Sequence, residues 1–141
     1  MKIIRSVLLQ DEAQTAGTVK TLDLPVNPLS HIVLTLKCLN VTDEATLAEV
    51  LDRLTKVEVL YKGAALISVS GADLFALNCV LFGKVPILTN RVATDNATRS
   101  ITMYIPLGRS VYNPAECFKA TKKANFSSKL PSAQPKQLAT A

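Results

Sequence analysis

The sequence predicts a mainly β protein, an antiparallel sandwich that carries two short helices. Three observations lead there. Apolar residues alternate with polar ones in several separate runs, which is the period-two pattern of a strand with one buried face. Two other runs place apolar residues three and four apart behind a capping residue, as a short helix does. Proline, glycine and asparagine fall between the runs, where the chain has to reverse.

Near the start, Ile3, Ile4, Val7, Leu8 and Leu9 form an apolar strand or arm within residues 1–17. From Thr18 to Leu24, Val19, Thr21 and Asp23 alternate with Lys20, Leu22 and Leu24. Pro25 ends that strand, and Pro28 keeps the segment that follows extended or turning. Ile32, Leu34, Leu36 and Cys38 then alternate with His31, Val33, Thr35 and Lys37, a central strand whose even positions face the core. Thr42 is the expected N-cap of the first helix, with Asp43 and Glu44 in the turn that the helix dipole favours for negative charge. Leu47, Val50, Leu51 and Leu54 make its buried stripe and leave Glu49, Asp52 and Arg53 in water.

The stretch Lys56 to Pro114 organises the chain. Val57, Val59 and Tyr61 give a half-buried strand, Gly63 interrupts it, and Ile67 and Val69 resume it, so Lys62-Gly63-Ala64 either turns one strand into the next or bulges a single long one. Ser70 and Asp73 have capping-box spacing. Leu74, Leu77 and Leu81 then form the apolar face of the second helix, which Gly83 closes in a left-handed conformation and Pro86 prevents from continuing. A polar loop from Asn90 to Arg99 leads to a strand in which Ile101, Met103 and Ile105 point inward.

Hydrophobic residues make up 48% and charged residues 19% of the 141 residues, an apolar balance that fits either a β-rich core or surface covered by partners. No apolar run reaches the roughly 20 residues of a spanning helix. The short apolar stretch before Gln10-Asp11-Glu12 lacks signal-peptide form, so the mature chain is expected to begin at Met1. Cys38, Cys79 and Cys117 show no CxxC spacing and read as small apolar residues in a reducing cytoplasm, Cys38 and Cys79 at ordinary burial sites. With a single histidine, His31, no metal site is expected and no cofactor is implied.

Catalytic signals are equally thin. A nucleophile–histidine arrangement would need His31, which opens a strand beside a proline turn and reads as a structural or surface imidazole. The carboxylates are scattered, and neither a GxxxxGK[ST] nor a GxGxxG phosphate motif is present. These features argue against an enzyme.

Charge is distributed unevenly. Up to Glu116 the chain has eleven basic and eleven acidic residues, and beyond it only Lys119, Lys122, Lys123, Lys129 and Lys136, which account for the net charge of +5. With Pro131, Pro135 and paired serines, residues 118–141 read as an extended or disordered basic tail following a sandwich at 18–117. Its lysines are candidate contacts for nucleic acid or another anion. The plainer alternative is a solvated terminus.

The order of these parts, with Ile105-Pro106-Leu107-Gly108-Arg109 followed by Tyr112-Asn113-Pro114 and Ala115-Glu116-Cys117, resembles the jelly-roll major capsid proteins of tailless icosahedral bacterial viruses. The resemblance spans residues 18 to 126. It implies a jelly-roll-like antiparallel β-sandwich that self-assembles into a virion shell after synthesis in the host cytoplasm. Its partners would be further copies of itself, a trimer among the possible forms, and other virion proteins. Arg109, Tyr112 and Asn113 would lie at an exposed turn where subunits meet, and the basic tail would face the genome, an inner membrane or a neighbour. Chains of that group often carry two sandwiches. Here the expected lead into a second gives way to the Lys-, Ser- and Pro-bearing segment, so the chain reads as a single sandwich or as one half of a longer arrangement. Two alternatives stay open: a small basic nucleic-acid-binding module that uses its tail, and an enzyme subunit or ligand-binding domain with a pocket around His31, Asp23 and Arg91.

Overall fold

The computed structural model describes residues 4–10, 13, 17–39, 46–86, 88, 89, 98–109, 113–119, 124–129, 139 and 140. In chain order the elements are β1 (Val19–Asp23), β2 (Pro28–Leu29), β3 (His31–Leu39), α1 (Leu47–Asp52), β4 (Lys56–Tyr61), β5 (Ala64–Val69), α2 (Gly71–Phe82), β6 (Thr98–Pro106), β7 (Phe118–Lys119), β8 (Ala124–Lys129) and β9 (Ala139–Thr140). The fold is mainly β, with two short helices and antiparallel pairing throughout, as the sequence predicts.

One sheet has the order β1-β8-β4-β5, a second the order β6-β3-β9, and β2 pairs with β7 in a short ribbon. The inner faces of the two larger sheets share a single core. Val57 and Val59 of β4 and Ala124 and Phe126 of β8 meet Cys38 of β3 and Ile101, Met103 and Ile105 of β6, together with Leu24 and the helical Val50, Leu51, Leu54 and Leu74. Register explains the alternation. Ile32, Leu34 and Leu36 stand opposite Ile105, Met103 and Ile101, so the even positions of β3 face the core and the odd ones face out.

Lys62 and Gly63 join β4 to β5 with φ angles of 52° and 80°, the pair of left-handed residues that a two-residue hairpin of matching twist requires. The register also shifts between Val59 and Leu60, so this hairpin holds both the turn and the bulge that the sequence offered as alternatives.

The helices differ in detail from the sequence reading. Thr46, not Thr42, caps α1: its hydroxyl accepts from the Glu49 amide at 3.3 Å, while the Glu49 carboxylate accepts from the Thr46 amide at 2.8 Å. Thr46 is followed three residues later by a glutamate and Thr42 by an alanine, so only Thr46 can complete a reciprocal capping box. Thr42, Asp43 and Glu44 lie outside the described residues. At α2, Ser70 accepts from the Asp73 amide at 3.2 Å, but the Asp73 carboxylate takes the Ser70 hydroxyl at 2.7 Å. The Gly71 amide instead donates to Leu54. Gly83 closes the helix at φ 62°.

The expected stripe of α2 also shifts. Leu74 is buried and Leu77 packs against the core, but Leu81 is 52% exposed and Asn78 is buried in its place. A larger revision concerns residues 118, 119 and 124–129. Composition marks them as the start of a tail, yet they form β7 and β8, and β8 lies inside the four-stranded sheet with Ala124, Phe126, Ser127 and Ser128 buried. Flanked on both sides by strands, even its serines are removed from water. Residues 4–10 belong to no strand or helix and are exposed, which makes them an arm.

Candidate subunit interface

The residues singled out by the Pro-Leu-Gly-Arg and Asn-Pro segments are brought together by a corner at the end of β6. The amides of Leu107 and Gly108 both donate to the Ser30 carbonyl, and the Arg109 amide donates to Glu116. A side chain at Gly108 would meet the Glu116 carbonyl at 2.9 Å and the Cys117 Cα at 3.0 Å. Glycine is thus required by the close approach of the two segments. Asn113 builds the second half: its Oδ1 accepts from the Ala115 amide at 3.1 Å, and its carbonyl accepts from the Glu116 amide and the Cys117 thiol. The asparagine is a turn residue of the Asx type. Its backbone and side chain hold the corner, while Arg109 points its exposed side into solvent. Tyr112 lies outside the described residues.

The five lysines are not gathered into one described patch. Lys119 is exposed in β7, Lys129 enters β8 through its backbone, and Lys122, Lys123 and Lys136 lie outside the described residues. Of the residues considered for a pocket, Asp23 ends β1, His31 begins β3 and Arg91 is not described. Ser30 Oγ and His31 Nδ1 lie 2.8 Å apart, and the imidazole stands 5.8 Å from the Tyr104 ring. No group of three or more His, Cys, Asp and Glu comes together among the described residues. Burial raises the Cys38 thiol above its ordinary pKa, against a smaller opposing pull from Arg53, which keeps that sulfur protonated.

Sequence spacing passed over the more informative surface. Between Gly71 and Phe82 the only charged residue is Asp73, so α2 is apolar around most of its circumference. A helix of that composition is normally enclosed. Here Val80 is 81% and Phe82 52% exposed, and Val85 just beyond is also exposed. Phe82 lies 5.5 Å from the Tyr104 ring, and Tyr104 stands opposite Val33 on the outer face of β3 and β6. His31, Tyr104, Phe82 and Val33 thereby form an apolar and aromatic surface beside the corner, since His31 pairs with Pro106. The signal was present in the lack of charge along α2.

Asn78 secures this surface. Its Nδ2 donates to the Tyr104 carbonyl at 2.9 Å and its Oδ1 accepts from the Tyr104 amide at 2.8 Å, so a side chain pairs with the outer edge of β6 as a further strand would. Nδ2 also donates to Leu74 within the helix. Farther along the same edge, Leu88 bridges to Ile101, and Thr89 exchanges bonds with Ser100. Compared with known protein families and with curated proteins, the chain matches neither a family model nor a curated sequence.

Proposed function

We propose that this chain is a structural subunit of a virion shell, assembling with copies of itself through apolar faces and edges of the sandwich. The observation that carries the reading is the water-exposed apolar end of α2, where Val80, Phe82 and Val85 are exposed and Phe82 lies beside Tyr104. Apolar and aromatic residues ringed by polar ones are what the buried centre of a subunit contact is made of. Arg109 and the turn around Asn113 form the polar rim of such a contact. The corner that joins the two motif segments holds Arg109 and Asn113 on one local unit, as a contact built from both segments needs. Other virion proteins are the further partners on this reading.

Solution mass, measured by light scattering after size exclusion at low and high salt, tests the proposal. The full chain should form a discrete trimer or a larger closed assembly that persists at high salt, since buried apolar area is not screened. Val80→Glu, at a position already in water, should dissociate it. A monomer at every salt concentration overturns the proposal. Nucleic-acid binding that falls steeply with salt, without assembly, would favour the basic-module reading instead.

A further inference from the structure

Among the described residues the four-stranded sheet ends at β5, with no further strand on that edge. Among the described residues β5 pairs with β4 alone. Its sequence, Ala-Ala-Leu-Ile-Ser-Val, holds no charge and no proline, so the bulge that sets Leu66 out of register is the one device in it that blunts the edge. Two other edges are protected. That of β6 is occupied by Asn78, Leu88 and Thr89, and β1 carries Lys20 and Asp23.

Burial gives the same indication. Val57 and Val59 of β4 are fully buried, yet their partners across the ladder, Val69 and Ile67, are only half-buried, and Leu66 is 44% exposed. The core-facing side of β5 stops where a further strand would cover it.

The chain also holds a segment of the complementary kind. Residues 4–10, Ile-Arg-Ser-Val-Leu-Leu-Gln, lie outside every strand and helix, with Ile4 78% and Val7 66% exposed. Seven extended residues span roughly 23 Å, enough to run the length of a six-residue strand. This arm leads towards β1, at the opposite edge of the sheet from β5. Its own β5 is three strand spacings away, roughly 14 Å, across β8 and β4, so the dependence of pairing on protein concentration separates a second copy from the arm's own sheet.

We propose that residues 4–10 of one copy add as a strand to the free β5 edge of a second copy. Main-chain hydrogen bonds would supply affinity, and the arm's apolar side chains would cover Ile67 and Val69. Because arm and edge are different surfaces, two copies can exchange arms as a dimer, or the contact can run head-to-tail and form a ring where its rotation closes. The identity of the partner as another copy rests on the assembly reading above.

The test follows β5 amide exchange and solution mass for the full chain, for Ile4→Ser/Val7→Ser/Leu9→Ser, and for Leu66→Lys. A synthetic peptide of residues 4–10 is then added to the triple-serine protein. The β5 amides of the unaltered chain should gain protection as protein concentration rises. Both variants should lose at least tenfold in association, and the peptide should slow β5 exchange at least tenfold in the triple-serine protein but not when Leu66→Lys is also present. A peptide without effect on β5, or protection independent of protein concentration, overturns the pairing. A salt-stable shell that forms equally well from both variants removes the pairing and leaves the shell reading intact. An arm-dependent dimer that never closes into a larger assembly keeps the pairing and removes the shell reading.

Discussion

Gly71 and Asn78 are the residues on which the packing of α2 depends. A methyl group at Gly71 would stand 2.4 Å from the Leu51 carbonyl and 2.9 Å from Leu54 Cβ, contacts that only a shift of α1 against α2 could relieve. Gly71→Ala is therefore expected to cost about 1–3 kcal/mol, read as a lowered thermal midpoint with the far-ultraviolet spectrum unchanged. Asn78 is 1% exposed and serves both polar groups of the Tyr104 backbone. Asn78→Leu keeps a similar volume but leaves the part-buried Tyr104 amide and carbonyl without their partner, so about 1–2 kcal/mol should be lost in urea unfolding. A variant as stable as the parent would show that water reaches the β6 edge. Neither role is visible in helical spacing, because both depend on what lies across from the helix.

At the scale of elements, the β4–β5 hairpin tests how well local chemistry accounts for structure. Lys62 adopts φ 52°, a left-handed angle that a lysine takes at a cost, offset in part by its ammonium lying 5.1 Å from the Tyr61 ring centre. Lys62→Asn removes that contact but suits the angle, and a net gain of up to about 1 kcal/mol is expected in thermal unfolding. Within β4, Lys56 Nζ lies 2.6 Å from Glu58 Oε1, and Ser68 donates to the same oxygen at 3.1 Å. The bond from Lys56 is the main cause that holds the Glu58 carboxyl below its ordinary value of 4.5. A carboxylate whose pKa is lowered by folding stabilises the fold above that ordinary value, and the contribution disappears as pH falls through the lower, folded value. Urea midpoints of the parent and Glu58→Gln should thus differ at pH 7 and converge in strong acid. Lys56 is exposed and Glu58 partly so, and high salt should therefore narrow the difference at pH 7.

For the whole molecule, β8 decides what removal of the basic end would do. It joins β1 to β4, with Phe126 opposite Leu22 on one side and Val59 on the other. Deletion of residues 118–141 would take away the interior strand and split the sheet, and the product should lack a cooperative thermal transition. Deletion of residues 130–141 removes only β9 from described structure and should leave that transition in place. Loss of nucleic-acid binding in the longer deletion could not then be credited to lysines alone; the shorter deletion is the informative one.

Much of this architecture was legible in the residues. Alternation marked β1, β3, β4, β5 and β6, Lys62-Gly63 marked the reversal, and Ser70 and Gly83 marked the ends of α2. These signals arise from steric and hydrogen-bonding preferences among residues a few positions apart, so the chain by itself determined them. Tertiary structure alone decided that a lysine- and serine-bearing segment becomes the interior strand β8, that Asn78 rather than Leu81 turns inward, and that Gly108 lies against Cys117. It also left the outer face of α2 and the edge of β5 open. Each of those outcomes depends on which distant segments become neighbours, and burial belongs to the neighbourhood rather than to the residue.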